Sequence, residues 1–265
     1  MRKFKKEKIS IIVVTLNTKK NFIKTLKSIQ MQIYQNYEII VVDGNSIDGT
    51  IQEIKKRKKI ITKFISKEDN GIYHAMNRGI KLSSGKWIIF MNSGDIFFEK
   101  STLKKFSSIK YKKADIYFSD TMVQRPKLKY LINSKNFNKN TYLMPFCHQS
   151  SIIKSKLFKK KKFSSLYKIA SDFDFFYYCF LKKKKFKKLT FVLSRIKSGG
   201  LSDINRQQVF SENIHILKKY QKFRLCFFLY LVKFKQYLID LIKIFLPELL
   251  KNFIYEIKYK NKLKN

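Results

Sequence analysis

Acidic residues are scarce in this 265-residue chain: 18 Asp and Glu stand against 58 Lys and Arg, a formal net charge of +40. Cysteine is scarce as well. Cys147, Cys179 and Cys226 are widely spaced and in no metal-ligand pattern, and the three histidines do not cluster with them. A structural zinc site needs four ligands, so that reading fails. A chain of this length buries a sizeable core without disulfides, and the three thiols read as reduced core residues of a cytosolic protein. Glycine, proline, alanine and arginine are under-used while Lys, Ile, Asn and Phe are over-used, the mark of an AT-rich coding sequence, and this accounts for most of the charge. No helix-turn-helix, zinc-finger or RNA-recognition signature accompanies the charge, so nucleic acid is not the expected partner. Attraction to anionic lipid, about 1 kcal/mol per nearby lysine, is compatible with it. There is no internal repeat. Met1 to Lys6 followed by Ile9 to Leu16 imitates a signal peptide, but the apolar run is short and lacks a small-residue cleavage site. A buried parallel strand explains it better.

What is present is an alternation of strands and helices. Ile9 to Thr15 is a continuous β-rich apolar run, and Phe22, Ile23, Leu26, Ile29 and Ile33 have helical spacing within Lys20 to Ile33. Tyr37 to Val42 is a second strand, ending at Asp43-Gly44-Asn45, and Asp48-Gly49-Thr50 caps a helix reaching Arg57. A third strand is expected at Ile60 to Ile65, a helix at Gly71 to Leu82 and a fourth strand at Trp87 to Met91. Such alternation argues for βαβ units on a parallel sheet buried on both faces. The second half is less regular: a strand at Asp115 to Ser119, a polar turn at Pro145 to Ser150 before another strand, a helix at Ala170 to Leu181, a basic turn at Lys182 to Lys188 and a flexible Gly199-Gly200-Leu201-Ser202 loop.

Two acidic-Gly turns, Asp69-Asn70-Gly71 and Asn92-Ser93-Gly94-Asp95, fall at neighbouring ends of that sheet, where an α/β protein places its ligand. Together with Ile9 to Asn17 and Ile40 to Thr50, these segments resemble family 2 glycosyltransferases of the GT-A fold, over about residues 8–205. The likeness is nearest to bacterial enzymes of capsule, O-antigen and exopolysaccharide assembly. It implies a Rossmann-like, mostly parallel central sheet with helices on both faces, followed by C-terminal amphipathic helices. It also implies that Thr15, Asn17, Asp43, Asp69, Asn92 and Asp95 bind a nucleotide-sugar, with UDP the expected carrier. An Asx-turn would equally explain Asp43, and helix capping would explain Asp69. Asn92 to Asp95 stands where the family has Asp-x-Asp. Asn92 and Gly94 replace its two acids, so Asp95 is the carboxylate left to hold Mg²⁺ or Mn²⁺. Asp172 follows Ser171 where the family has an acidic pair, and is the expected general base, with Asp174 as fallback. The alternative is acids decorating a helix N-terminus. His148 and Gln149 are expected to bind acceptor hydroxyls. Arg78 reads as a phosphate contact or a solvated side chain.

From Arg224 to Tyr259 the chain is largely apolar but broken by charge. Lys233, Gln236, Asp240 and Lys243, spaced 3, 4 and 3, form one helical stripe. These charges argue against an unaided span. A helix lying on an anionic membrane, or one packed on the domain or a partner, fits instead. The expected division is residues 1–98 for the donor, 99–223 for the acceptor and 224–265 as a membrane-associating tail. The implied protein is an inverting transferase, cytoplasmic and peripheral on the inner membrane face, acting on a lipid-linked glycan. A nucleotidyltransferase would need a Gly-rich loop that Thr15-Leu16-Asn17-Thr18 lacks. A non-catalytic scaffold and a charge-driven nucleic-acid binder are the readings from other classes.

Overall fold

The computed structural model describes residues 7–109, 113–125, 128–200 and 204–245. Strands β1 (Ile9–Thr15), β2 (Tyr37–Asp43), β3 (Lys63–Ser66) and β4 (Trp87–Phe90) lie side by side and parallel. Helices α1 (Lys19–Gln30), α2 (Thr50–Lys56) and α3 (Ile72–Leu82) connect them. After the short strand β5 (Ile96–Phe97) and α4 (Thr102–Ser107), β6 (Ile116–Phe118) and β9 (Ser151–Lys154) extend the sheet. Helices α5 (Lys156–Lys160) and α6 (Ser171–Leu181) lead to the edge strand β10 (Phe186–Lys188). The full order is β10-β6-β9-β4-β1-β2-β3, with β9 antiparallel to both its neighbours. The order turns back between β1 and β4, and ligands of open α/β sheets bind at the carboxyl ends of strands flanking such a switch.

The apolar run of β1 is continuous because both faces are covered. Ile12 and Val14 join one core with Tyr73 and Met76 of α3 and Phe173 and Phe176 of α6. Ile11 and Val13 join the other with Phe22, Leu26 and Ile29 of α1 and Leu103 and Phe106 of α4. Two glycines are required by close approach. A Cβ on Gly79 would stand 2.4 Å from Ile12 Cγ2, and one on Gly85 would stand 2.6 Å from the Ser10 backbone nitrogen.

The reading of Lys182 to Lys188 as a turn is corrected at its end. Phe186 packs on Phe137 and Phe146 and draws Phe186–Lys188 into β10, whose exposed lysines suit an edge strand. A second sheet, in the order β5-β11-β7-β8, had no counterpart in the sequence reading. Its strands β7 (Thr121–Gln124), β8 (Lys129–Ile132) and β11 (Ser194–Lys197) are short and half polar. The described residues end in α7 (Arg206–Lys219) and α8 (Phe223–Phe245). Leu225, Cys226 and Leu229 of α8 are buried in the main core, so the first turns of the expected tail pack as part of the domain. Residues 246–265, Leu201 and Ser202 of the glycine loop, and the Lys243 side chain of the polar stripe lie outside the described residues.

At the amino end of the sheet, Glu38 is 1% exposed. It accepts hydrogen bonds from Ser10 Oγ (2.6 Å), the Ser84 backbone N–H (2.6 Å) and Ser84 Oγ (2.8 Å), and pairs with Lys8 Nζ at 2.9 Å. Burial alone would raise its pKa. The bonds from Ser10, Lys8 and Ser84 outweigh that and hold it near 2. A depressed carboxyl contributes stability above its unfolded pKa and loses it as the pH falls through the folded one. Glu38→Gln should therefore lower stability by about 3 kcal/mol at pH 7, with the difference shrinking to nothing near pH 2, as read by urea melts. An equal loss at both pH values would contradict the ionic account.

Candidate active site

Four of the expected residues interlock at the carboxyl ends of β1 to β3. Asp43 is fully buried. Its Oδ2 accepts from the Asn45 and Ser46 backbone N–H groups (3.1 and 2.9 Å) and from Ser66 Oγ (2.7 Å), and its Oδ1 accepts from Ser46 Oγ at 2.5 Å. This is the Asx-turn, saturated. Asn17, held at φ 48°, donates its backbone N–H to Ser46 Oγ at 2.8 Å and accepts from Ile47 N–H at 2.8 Å, zipping the first loop to the second. Asp48 takes the first N–H of α1 (Lys19, 2.9 Å) and of α2 (Thr50, 3.0 Å), as its reading as a cap requires. Asp69 accepts from Gly71 N–H at 2.9 Å, and its Oδ2 lies 2.9 Å from where a Cβ on Gly44 would stand, so the carboxylate packs against the loop after β2. Arg78, half-buried, donates to the carbonyls of Lys67 and Glu68, both at 2.8 Å, and so holds the approach to Asp69.

A hydroxyl chain joins this cluster to the second one. Thr15 Oγ1 lies 2.9 Å from Thr18 Oγ1, which donates to Ser93 Oγ at 2.7 Å. Beyond it, the 3-10 turn His148–Ser150 delivers His148 and Gln149 onto the Asn92–Asp95 turn. His148 Nε2 is 3.5 Å from Asn92 Nδ2, and Gln149 faces the Asp95 carboxylate and draws its pKa down. His148 Nδ1 lies 2.9 Å from Asp172 Oδ2. That bond orients the imidazole, with Nδ1 toward the carboxylate and Nε2 toward Asn92. Asp172 Oδ1 receives Phe173 N–H (2.8 Å) and faces the Tyr73 hydroxyl at 3.0 Å. Burial, then the Asp172 charge, push the Tyr73 phenol well above its usual pKa and keep it a donor. The sequence placed both His148 and Asp172 in the site but did not pair them.

Asp174, two residues on, is fully buried and faces the other way. It pairs with Lys161 Nζ (2.5 Å) and Lys219 Nζ (2.9 Å) and accepts from the Tyr220 hydroxyl (2.9 Å). The fallback base is thus a structural tie between α6 and α7. A residue the sequence reading passed over, Glu212 of α7, accepts the backbone N–H groups of Lys168, Ile169 and Ala170 at 2.8–3.0 Å and so sets the start of α6 that carries Asp172. Nothing in its local sequence marks it.

Asn92 Oδ1 and Asp95 Oδ2 are buried oxygens on one turn with no hydrogen-bond partner. An unpartnered buried oxygen is unfavourable unless something binds it. Two hard oxygens, completed by diphosphate oxygens and water, fit the donor set of Mg²⁺ or Mn²⁺. Among the described residues no three His, Cys, Asp or Glu gather to hold a metal by themselves, so ligation at this turn needs the phosphates of a ligand. Burial pushes the Asp95 carboxyl up to about 7, against the pull of His148, the Asn92 backbone and Gln149.

A sheet with its switch at β1/β4, covered on both faces and carrying an Asp–His pair against a degenerate Asp-x-Asp turn, defines a GT-A glycosyltransferase architecture. The family model described as Glycosyl transferase family 2 matches residues 10–190, and the chain belongs to that family. A "PGL/p-HBAD biosynthesis glycosyltransferase" of Mycobacterium bovis is 27% identical over 202 residues, covering 73% of this chain and 78% of that one. An uncharacterized glycosyltransferase of Methanocaldococcus jannaschii is 26% identical over 226 residues, covering 77% and 76%. Among solved structures, S. aureus TarS 1-349 in complex with UDP-GlcNAc superposes with a TM-score of 0.62 at 20% identity, covering 79% of this chain and 66% of that one. Mannosyltransferase PcManGT from Pyrobaculum calidifontis, in complex with GDP-Man and Mn²⁺, gives 0.64 at 16% identity, covering 82% and 65%. The protein is a glycosyltransferase.

A raised carboxyl pKa means that ionisation works against the fold: the protein is at no disadvantage below the unfolded pKa, and the penalty grows as the pH rises through the folded value. Asp95→Asn should therefore melt like wild type near pH 4 and higher than wild type at pH 8 without metal, by up to about 4 kcal/mol. A gap of constant size across that range would refute the buried-carboxyl account.

Proposed function

We propose that the protein is an inverting transferase that moves a sugar from a UDP-linked donor to a hydroxyl of a lipid-linked glycan in surface polysaccharide assembly. The observation that carries this reading is the Asp172–His148 pair at 2.9 Å, set against the Asn92–Asp95 turn at the carboxyl end of the sheet. The nucleoside lies against the loops organised by Thr15, Asn17, Asp43 and Asp69. The diphosphate reaches Asn92 and Asp95, and Gln149 with His148 lines the acceptor side. Asp95 and Asn92 would hold a divalent cation together with the phosphates, and it would supply neutralisation of the diphosphate charge. The acceptor O–H proton passes to the Asp172–His148 pair, while its oxygen attacks the anomeric carbon from the face opposite the diphosphate. The bond to the diphosphate breaks with its electrons, and configuration inverts. Asp172 orients the imidazole through Nδ1, and Tyr73 holds the other carboxylate oxygen. The name of the mycobacterial relative supports sugar transfer in a biosynthetic pathway, and the UDP-GlcNAc complex of TarS supports a UDP-sugar.

The long helix α8 supports work at the inner face of the cytoplasmic membrane. Its polar stripe is turned inward: Lys233 Nζ bonds Ser211 of α7 at 2.8 Å, and Gln236 bonds Asp240. Its outer face exposes Phe227, Phe228, Leu231, Phe234, Leu238 and Ile242. So large an apolar face does not stay in water. Among the described residues no helix is long and apolar enough to cross a membrane. A helix lying on the surface, where the cationic charge attracts anionic lipid, accords with its exposed apolar face.

Asp172→Asn and His148→Asn should each lower kcat by about 10²- to 10⁴-fold, with UDP-sugar affinity in Mn²⁺ within about twofold of wild type. Wild-type turnover in either variant would remove the pair from the mechanism. The combined variant Phe227→Ser, Leu231→Ser, Phe234→Ser should no longer sediment with phosphatidylglycerol vesicles while keeping its melting temperature. Undiminished sedimentation would defeat the membrane proposal.

A further inference from the structure

Helix α6 begins without a cap of its own. Its N-cap residue is Ala170, whose methyl group accepts no hydrogen bond. The cap comes from another helix. The half-buried carboxylate of Glu212, on α7, takes Ile169 N–H (2.9 Å) and Ala170 N–H (2.8 Å) on Oε2 and Lys168 N–H (3.0 Å) on Oε1. Gln208 Nε2 also donates to Oε1, at 2.9 Å. Four donors therefore occupy the two carboxylate oxygens. The peptide between Ile169 and Ala170 is gripped at both ends, because its carbonyl accepts from the Tyr73 hydroxyl of α3 at 2.6 Å. A peptide unit is planar, so holding its N–H and its C=O fixes its orientation. The Ala170 carbonyl then accepts the first bond of α6, from Asp174 N–H at 3.1 Å, and Asp172 lies within that turn. Tyr73 closes the circuit by meeting Asp172 Oδ1 at 3.0 Å.

We propose that Glu212 is a positioning residue for the base: it caps α6 from a second helix and thereby aims the Asp172 carboxylate at His148. This rests on the reading of Asp172 and His148 as the pair that takes the acceptor proton. Glu212 lies beyond residues 10–190, the segment that the family model matches, so the base is set from outside that segment. Its neighbour Ser211 accepts from Lys233 of α8 at 2.8 Å, so the helix that holds the base is itself braced by the one that follows it. The carboxylate is needed for its charge as well as its shape. A glutamine there has one acceptor oxygen and two N–H donors. Whichever way its amide is turned, an NH₂ group faces donors in place of an acceptor. The negative charge also complements the positive end of the α6 dipole. Acting through Asp172, Glu212 governs turnover and leaves donor binding alone.

The test is a double-mutant cycle on UDP-sugar turnover in Mn²⁺, with UDP affinity and amide hydrogen exchange measured alongside. Glu212→Gln should lower kcat by about tenfold to a hundredfold, as a displaced base does, with UDP affinity within about twofold of wild type. In an Asp172→Asn background the same substitution should cost less than about twofold, because the group it positions is gone. Amides of residues 168–174 should exchange at least about tenfold faster in Glu212→Gln, with those of β1 and β4 unchanged. Unaltered kcat, or losses that multiply in the double variant, would overturn the positioning role, and unaltered exchange would overturn the cap. If Glu212→Gln does not fold, Gln208→Ala takes its place, since it removes only the side chain that steadies the carboxylate. It should lower kcat by about threefold, again with no further loss beside Asp172→Asn. If the wild type turns over no nucleotide-sugar, the reading of the pair falls and the role built on it falls too. Equal turnover in wild type and Glu212→Gln sinks the role alone.

Discussion

The bond between His148 and Asp172 is the interaction around which the site is assembled. His148 stands on a turn pinned from below, where its carbonyl accepts from Ser151 Oγ and Ser150 sits in a buried hydroxyl cluster with Thr121 and Ser194 of the second sheet. Asp172 stands at the start of α6, which Glu212 of α7 fixes through three backbone N–H groups. Tyr73, from α3 in the donor half, reaches the same carboxylate and the Ile169 carbonyl. A buried carboxylate is tolerated only when its lone pairs are taken, so these partners are conditions for the site rather than ornaments to it.

The same constraint explains how a chain this poor in acids uses them. Glu38, Asp43, Asp48, Asp174 and Glu212 each saturate backbone or hydroxyl donors or lysines, and each closes a loop or ties one element to another. Asp95 is the exception. It is buried with one oxygen unpartnered, next to an equally unpartnered amide oxygen of Asn92. In a protein that satisfies its other acids so fully, an incomplete carboxylate marks the place where chemistry from outside the chain is expected.

Much of this was legible beforehand, for a physical reason. The strands at Ile9, Tyr37 and Trp87 are buried on both faces, so their apolar runs are unbroken and carry a strong signal. The strands of the second sheet are two to four residues long and half polar, and their hydrophobic partners are distant in sequence. No local period reveals them. Asp43 and Arg78 show the limit for individual residues. Each could be named as polar and well placed, but whether its bonds go to a ligand or to a neighbouring loop depends on where the other loops pass.

The sequence by itself determined the α/β class and the order of the turns that make the site, because these follow from hydrophobic period and local turn chemistry, and its motifs carry the resemblance to the family. Only the tertiary structure decided that His148 and Asp172 form a pair, that Asp174 is a tie between helices, and that Lys233 of α8 turns toward α7. Each of these is a contact between residues far apart in the chain or a choice of which face is covered. Such facts belong to packing, where spacing along one segment no longer constrains the answer.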